Sequence, residues 1–340
     1  MARTRTEIRA LGATWNPTML WYAKAVASLK ARPATSKLSW NYLGAMHGFN
    51  DALWRRAGII GAGAALPPHA EQAVYWNQCQ HQTWYFLPWH RAYLLTFEDV
   101  LNGWISAQPG APQDWALPYW NYSATASAAN PNPLAVPDAF LAQTLPDGSA
   151  NALFVPARYG QGVAAQDADL SNAMLDPTFI GAAQQGTVPG FGGPNTPFSH
   201  GGEDGGWLED QPHNLVHVDV GGQDAQGAGG LMSDPRTAAV DPIFWVHHAN
   251  IDRLWAVWRG RNAEDLNPTD QAWLGGAQNR QFRLYDATGA DRPCNPQDVI
   301  NLVGQVYDYD DVSDPLPGAT RRDLRLAALA PSAARVLAAA

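Results

Sequence analysis

Cysteine is scarce in this 340-residue chain: only Cys79 and Cys294 occur. A multi-disulfide framework is excluded, and one bridge between the two stays open. Positive charge is also short, with 22 Lys and Arg against 31 Asp and Glu, a net charge of −9, and no basic run. Nucleic acid and anionic membrane surfaces are therefore poor partners. No apolar stretch approaches the roughly 18 residues of a membrane span. The opening MARTRTEIRALG has neither the apolar core nor the cleavage site of a secretory signal. The expectation is a cytoplasmic protein, or one exported by another route. Two metal motifs are missing as well. Glu-x-x-His, the signature of di-iron bundles, does not occur. The pair His213 and His217 has Asn214 where a zinc protease needs its glutamate base.

What is abundant is tryptophan, at 15, together with 31 glycines and 26 prolines, which together suggest a compact body crossed by long loops. Residues 16–30 read as a helix with Asn16 as cap and Pro17 in the first turn. Segment 36–55 carries His47 beside Gly48 at a helix end, and 69–81 has helical spacing that leads straight into 84–104. On that last helix Arg91 and Glu98 read as charge partners. Residues 106–206, rich in Gly, Pro, Ala, Asn and Ser, read as irregular loops and short strands over a helical core, with an interdomain linker as the alternative. Residues 241–259 form the clearest late helix, with Asp241 as cap, Pro242 first, and Phe244, His248, Ile251 and Trp255 on one face.

Four of the nine histidines fall in HNLVHVDVGG (213–222) and FWVHHANIDRLW (244–255). His213 and His217, at i and i+4 on a helix, point the same way and can grip one ion. Neutral imidazoles without carboxylate ligands suit Cu, Zn, Fe or Ni. FLPWH (86–90) and FWVHH (244–248) each place a phenylalanine one helical turn before a histidine. His47 and His81 precede the first of these, and His213 and His217 the second. Two sets of three suggest two metal ions facing each other in a helix bundle.

The stretches HQTWYFLPWHRAYLLTFE (81–98) and DPIFWVHHANID (241–252) closely resemble the two copper signatures of the type 3 copper proteins, the tyrosinases, catechol oxidases and molluscan haemocyanins. YDYDD (307–311) is similar to the Tyr-x-Tyr motif that closes the catalytic core in this family. The resemblance implies a mainly α fold: a central four-helix bundle carrying a binuclear copper site, with long irregular loops and a few short strands. It implies a catalytic core over 1–310 and a tail over 311–340 too short for the C-terminal lid domain of many members. It further implies one copper held by His47, His81 and His90, and another by His213, His217 and His248, with O2 as co-substrate and a small phenol as substrate. A copper chaperone fits as a further partner. Helix geometry agrees that His248 is the ligand, because His247 is turned roughly 100° away and reads as packing. His69 and His200 match no motif and read as solvated.

The same resemblance bears on the neighbours. Cys79 stands two residues before His81, where some relatives carry a thioether to the ligand histidine; a free thiol or a disulfide with Cys294 are the alternatives. Asp252, one turn after His248, either orients a ligand imidazole or forms a salt bridge. Asn214 and Glu209, with Glu203 behind it, match positions that help phenols lose their proton, and a plain helix cap is the other reading of Glu209. Val218 and GGLMSDPR (229–236) are expected at the substrate mouth. The implied activity is ortho-hydroxylation of monophenols and oxidation of o-diphenols to o-quinones. The alternatives are a catechol or o-aminophenol oxidase without the hydroxylase step and, less favoured, a haemocyanin-like O2 carrier.

Overall fold

The structure, a computed structural model, describes residues 2–128, 130–181, 189–201, 205–261, 265–276 and 280–316. Strand β1 (Arg3–Arg5) leads to α1 (Pro17–Lys30), whose start is fixed by Asn16 accepting the amide of Met19 at 3.0 Å. Met19, Tyr22, Ala23, Val26 and Leu29 form its buried face, the three- and four-residue steps of an amphipathic helix. Helix α2 (Trp40–His47) is capped by Ser39, and α3 (Asp51–Arg56) by Asn50. The break between them is Gly48, whose backbone is ordinary extended chain at φ −163°. Space is what demands glycine there: a Cβ would sit 2.5 Å from the Pro235 carbonyl oxygen and 2.8 Å from Arg236 Cα.

Helix α4 (His69–Tyr75) stops well short of His81, contrary to the expected run of helix into the next element. From Trp76 to Tyr85 the backbone bonds elsewhere: Asn77 and Gln78 amides to Ala45 and Met46 carbonyls, and His81 to Ser199. Asn77 and Gln82 sit at φ +55° and +56°, which no helix tolerates. Helix α5 (Phe86–Ile105) follows, then the short α6 (Asp138–Leu141) and α7 (Ser171–Leu175) within otherwise irregular chain. That irregular stretch is cladding and not a linker, since Trp115, Tyr119, Trp120 and Phe140 lie in the one buried core.

A wide, irregular turn over Glu209–Asn214 opens into α8 (Leu215–Gly221), and α9 (Ile243–Gly260) follows. Asp241 caps α9 by accepting the amide of Ile243, as its position suggested. Short α10 (Gln271–Leu274) and α11 (Pro296–Val299) precede β2 (Tyr307–Tyr309). The fold is mainly helical, with β1 and β2 as the only strands among the described residues; they pair in parallel. Helices α5 and α9 lie together at the centre, where Phe97 and Trp245 stack at 3.6 Å and 8°. Helix α1 packs on α5, and α2 on the turn before α9.

Pairing β1 with β2 carries Arg5 into the bundle. It meets Glu98 at 2.8 Å and Asp252 at 3.2 Å, while Arg91 meets Asp252 at 2.5 Å. Tyr307 and Tyr309 each donate to Asp252 Oδ2 at 2.6 Å. Arg91 and Glu98 are thus not each other's partners: each binds a group far away in sequence. Two guanidinium and two carboxylate groups balance out of water, which is the condition for burying them. Of the tail, 317–340 lies outside the described residues. No helix among the described residues is long and apolar enough to cross a membrane.

Candidate metal centre

His47 is the last residue of α2, His90 lies in the second turn of α5, and His81 comes from the irregular segment between them. With Cys79 they form one cluster whose candidate ligand atoms all lie within 4.8 Å of one another. His213, His217, His247 and His248 form a second such cluster. The clusters face each other: His90 and His248 rings stack at 4.5 Å and 14°, and His81 and His213 rings are 6.0 Å apart.

The imidazoles are aimed by backbone carbonyls. His47 Nδ1 lies 2.8 Å from the Pro235 oxygen, His90 Nδ1 2.8 Å from Phe86, and His217 Nδ1 3.0 Å from Met232. Each carbonyl can only accept, so each Nδ1 carries the proton and Nε2 presents its lone pair. For His213 the Asn214 Oδ1, 3.0 Å from Nδ1, does the same. The phenylalanine before His90 therefore contributes its carbonyl as well as its ring. GGLMSDPR, expected at the mouth, supplies two of these carbonyls, through Met232 and Pro235.

All seven histidines of the clusters are held neutral by burial, and all but His217 are also pushed down by neighbouring histidines. His90 is pushed down to about 3 and His217 to about 4; the other five also lie well below the ordinary value. A neutral imidazole is the form that binds metal. His47 Nε2 is buried with no hydrogen-bond partner. His248 Nε2 lies 3.2 and 3.3 Å from the Nε2 atoms of His213 and His217. Three converging nitrogens at that spacing fit a shared ion about 2 Å from each. On these grounds the donor set fits metal.

Glu209, in the turn before α8, is 1% exposed, and both its oxygens accept from the Gln82 amide, at 2.8 and 2.9 Å. It opens the turn that carries His213 but makes no capping hydrogen bond to it. Burial holds its carboxyl well above the usual range; the Gln82 amide pulls the other way, and Asp210 pushes further up. Glu203 lies outside the described residues. Asp252 touches no imidazole, because Arg91, Arg5, Tyr307 and Tyr309 occupy it. Carbonyls orient His47, His90 and His217, while His248 Nδ1 is buried with no hydrogen-bond partner. Val218 is 58% exposed and lines a surface hollow with Asp219, Gly222, Gln223, Gly229 and Ser233.

Cys79 and Cys294 are both free thiols, so the disulfide alternative fails. Cys79 Sγ lies 3.4 and 3.6 Å from the two nitrogens of His81 and 3.4 Å from His90 Nε2, contacts without a thioether bond. Burial, and then Glu209, push its thiol pKa up. His247, read as packing, also lies within reach of the second cluster. His200, read as solvated, is exposed but tied through Nδ1 to the Cys79 carbonyl at 3.0 Å, with its ring 5.9 Å from that of His81. His69 begins α4 and is exposed.

The family described as "Common central domain of tyrosinase" matches residues 37–261. The chain belongs to the tyrosinase family. A tyrosinase of Hahella sp. (strain CCB-MM4) is 38% identical over 300 residues, covering 85% of this chain and 60% of that protein. A chloroplastic catechol oxidase B of Solanum tuberosum is 30% identical over 230 residues, covering 61% of this chain and 34% of that one. Among solved structures, latent apple tyrosinase superposes with a TM-score of 0.64 at 22% identity, over 92% of this chain and 63% of that chain. This likeness shows the shared fold. The chain thus spans 60% or less of these two curated relatives. In this family the two facing histidine clusters are consistent with a binuclear copper site.

Proposed function

We propose that the chain oxidises phenols with O2 at two copper ions, hydroxylating monophenols and converting o-diphenols to o-quinones. His47, His81 and His90 hold one ion; His213, His217 and His248 hold the other. The observation that carries this reading is the pair of neutral imidazole clusters, brought face to face by the His90–His248 stack at 4.5 Å. Bound copper would supply the electron exchange with O2. The side chains do the rest. Carbonyls of Pro235, Phe86 and Met232 hold three rings in one tautomer, and Asn214 holds His213.

A phenol, with pKa about 10, must lose its proton before it is hydroxylated. Glu209 lies beside the His81 segment and is the carboxylate for that task, directly or through one water. Burial raises its proton affinity, which makes its ionised form a stronger acceptor. Val218, on the exposed rim of α8, selects among substrates.

A second reading, oxidation of catechols or o-aminophenols alone, is favoured by how Glu209 and Asn214 are engaged. Both Glu209 oxygens lie on the Gln82 amide, and the Asn214 oxygen lies on His213. The relatives' names, tyrosinase and catechol oxidase, span the same two activities. The test assays the copper-loaded full chain and Glu209→Gln on a monophenol, a catechol and an o-aminophenol. The first reading expects the parent to act on the monophenol and catechol. In Glu209→Gln it expects monophenol turnover to fall about 10²–10⁴-fold, with catechol turnover nearly unchanged. A parent that turns over only catechol or o-aminophenol establishes the second reading. Equal loss on all substrates removes Glu209 from proton transfer.

A further inference from the structure

His247 is the anomaly of the site. It is 0% exposed, and neither of its ring nitrogens has a hydrogen-bond partner. A neutral imidazole always carries one N–H donor and one acceptor, and buried polar groups left wholly unmet are rare enough to need a cause. Packing alone would be met as well by phenylalanine. The surroundings offer one chemistry. His247 lies parallel to His213 at 5.4 Å and 20°, edge-on to His217 at 4.9 Å, and 5.1 Å from His248. A nitrogen of His247 lies within 4.8 Å of a donor nitrogen on each of the other three. The Tyr122 ring also packs against His247, at 5.6 Å.

From this geometry we infer that His247 is a fourth, exchangeable ligand of the second copper, engaged while the site holds a single ion. The inference rests on the binuclear copper reading and deepens it. Cu(II) favours tetragonal coordination by four nitrogen or oxygen donors. His213, His217 and His248 supply three. A lone ion in this largely buried cluster therefore takes its fourth donor from the one remaining imidazole within reach. With both clusters loaded, His247 would be released from the ion. The residue then acts in loading and retention of the metal, and takes no part in the oxidation itself.

The test uses metal-free full-length protein carrying His81→Ala and His90→Ala, which confine added Cu(II) to the second cluster. One equivalent of Cu(II) is added, and pulsed EPR counts the coordinated imidazoles with and without His247→Phe. A competing chelator gives the affinity. The expected result is four imidazoles falling to three, with affinity lower by ten- to a hundredfold. His247→Gln, which keeps a polar side chain, serves as the second variant should the phenylalanine fail to fold, as judged by near-UV circular dichroism. The same imidazole count and affinity with and without His247 overturns the inference. Failure of the otherwise unsubstituted chain to take up two copper ions overturns the binuclear reading instead, so the two failures are separable.

Discussion

Asp252→Asn separates two roles that position alone leaves equal. In the structure the Asp252 carboxylate accepts from Arg91 at 2.5 Å, Arg5 at 3.2 Å, and Tyr307 and Tyr309 at 2.6 Å, with 3% of the residue exposed. Its pKa is lowered despite burial, which pushes it up, because Arg91 and then Arg5 pull it down further. The amide keeps the shape and removes the charge, leaving two buried guanidinium groups with only Glu98 as counterion. Breaking a buried pair costs about 3–5 kcal/mol, a large share of the roughly 5–15 kcal/mol that stabilises a typical domain. The folded pKa lies below the ordinary 3.8 of the unfolded chain. The contribution is therefore complete above that unfolded value and is lost as pH falls through the folded one. Urea unfolding of metal-free parent and variant should show the full gap at pH 6 and a closing gap on acidification below about 4. Copper affinity of the folded variant should stay within a few-fold of the parent. A variant of parental stability that binds copper about 10–100-fold more weakly would refute the reasoning, since that is what removing an imidazole-orienting partner does.

Gly48→Ala should destabilise the protein by about 1–3 kcal/mol through overpacking, because the new Cβ meets fixed backbone at 2.5 Å. It should also weaken the copper held by His47, whose Nδ1 loses the displaced Pro235 carbonyl. Copper content per chain after dialysis checks this; full retention would contradict it. Copper-loaded protein exposed to O2 should lose two hydrogens in intact mass as Cys79 and His81 become linked. Full labelling of Cys79 by a thiol reagent, after denaturation and reduction, would remove the thioether. Cys79→Ser should leave the mass as calculated.

Much of the site was legible because histidines on helices advertise themselves by spacing. His213 with His217 and His90 with Phe86 follow from helical period, and Asn16 and Asp241 from capping chemistry. Where the chain is not helical, local pattern fails. The 76–85 segment turns at Asn77 and Gln82 in left-handed backbone without a glycine to mark it, so helical spacing misleads there. Arg91 and Glu98 look like partners on one helix, yet their real partners come from α9 and from a strand more than 90 residues away. His247 escapes local pattern for a different reason. A 100° step around α9 turns it off the His248 face, but α8 and the turn before it lie close enough for His217 and His213 to touch both rings. The orienting carbonyls of Pro235 and Met232 leave no trace in residue type at all.

The central claim is that two copper ions sit together between α2, α5, α8 and α9. Copper per chain, measured together with the EPR spin count of the oxidised holoprotein, tests it most directly. Two ions per chain with almost no EPR signal, from two Cu(II) centres coupled at close range, is the predicted result. One ion per chain, or two ions giving the full signal of isolated Cu(II), would contradict it.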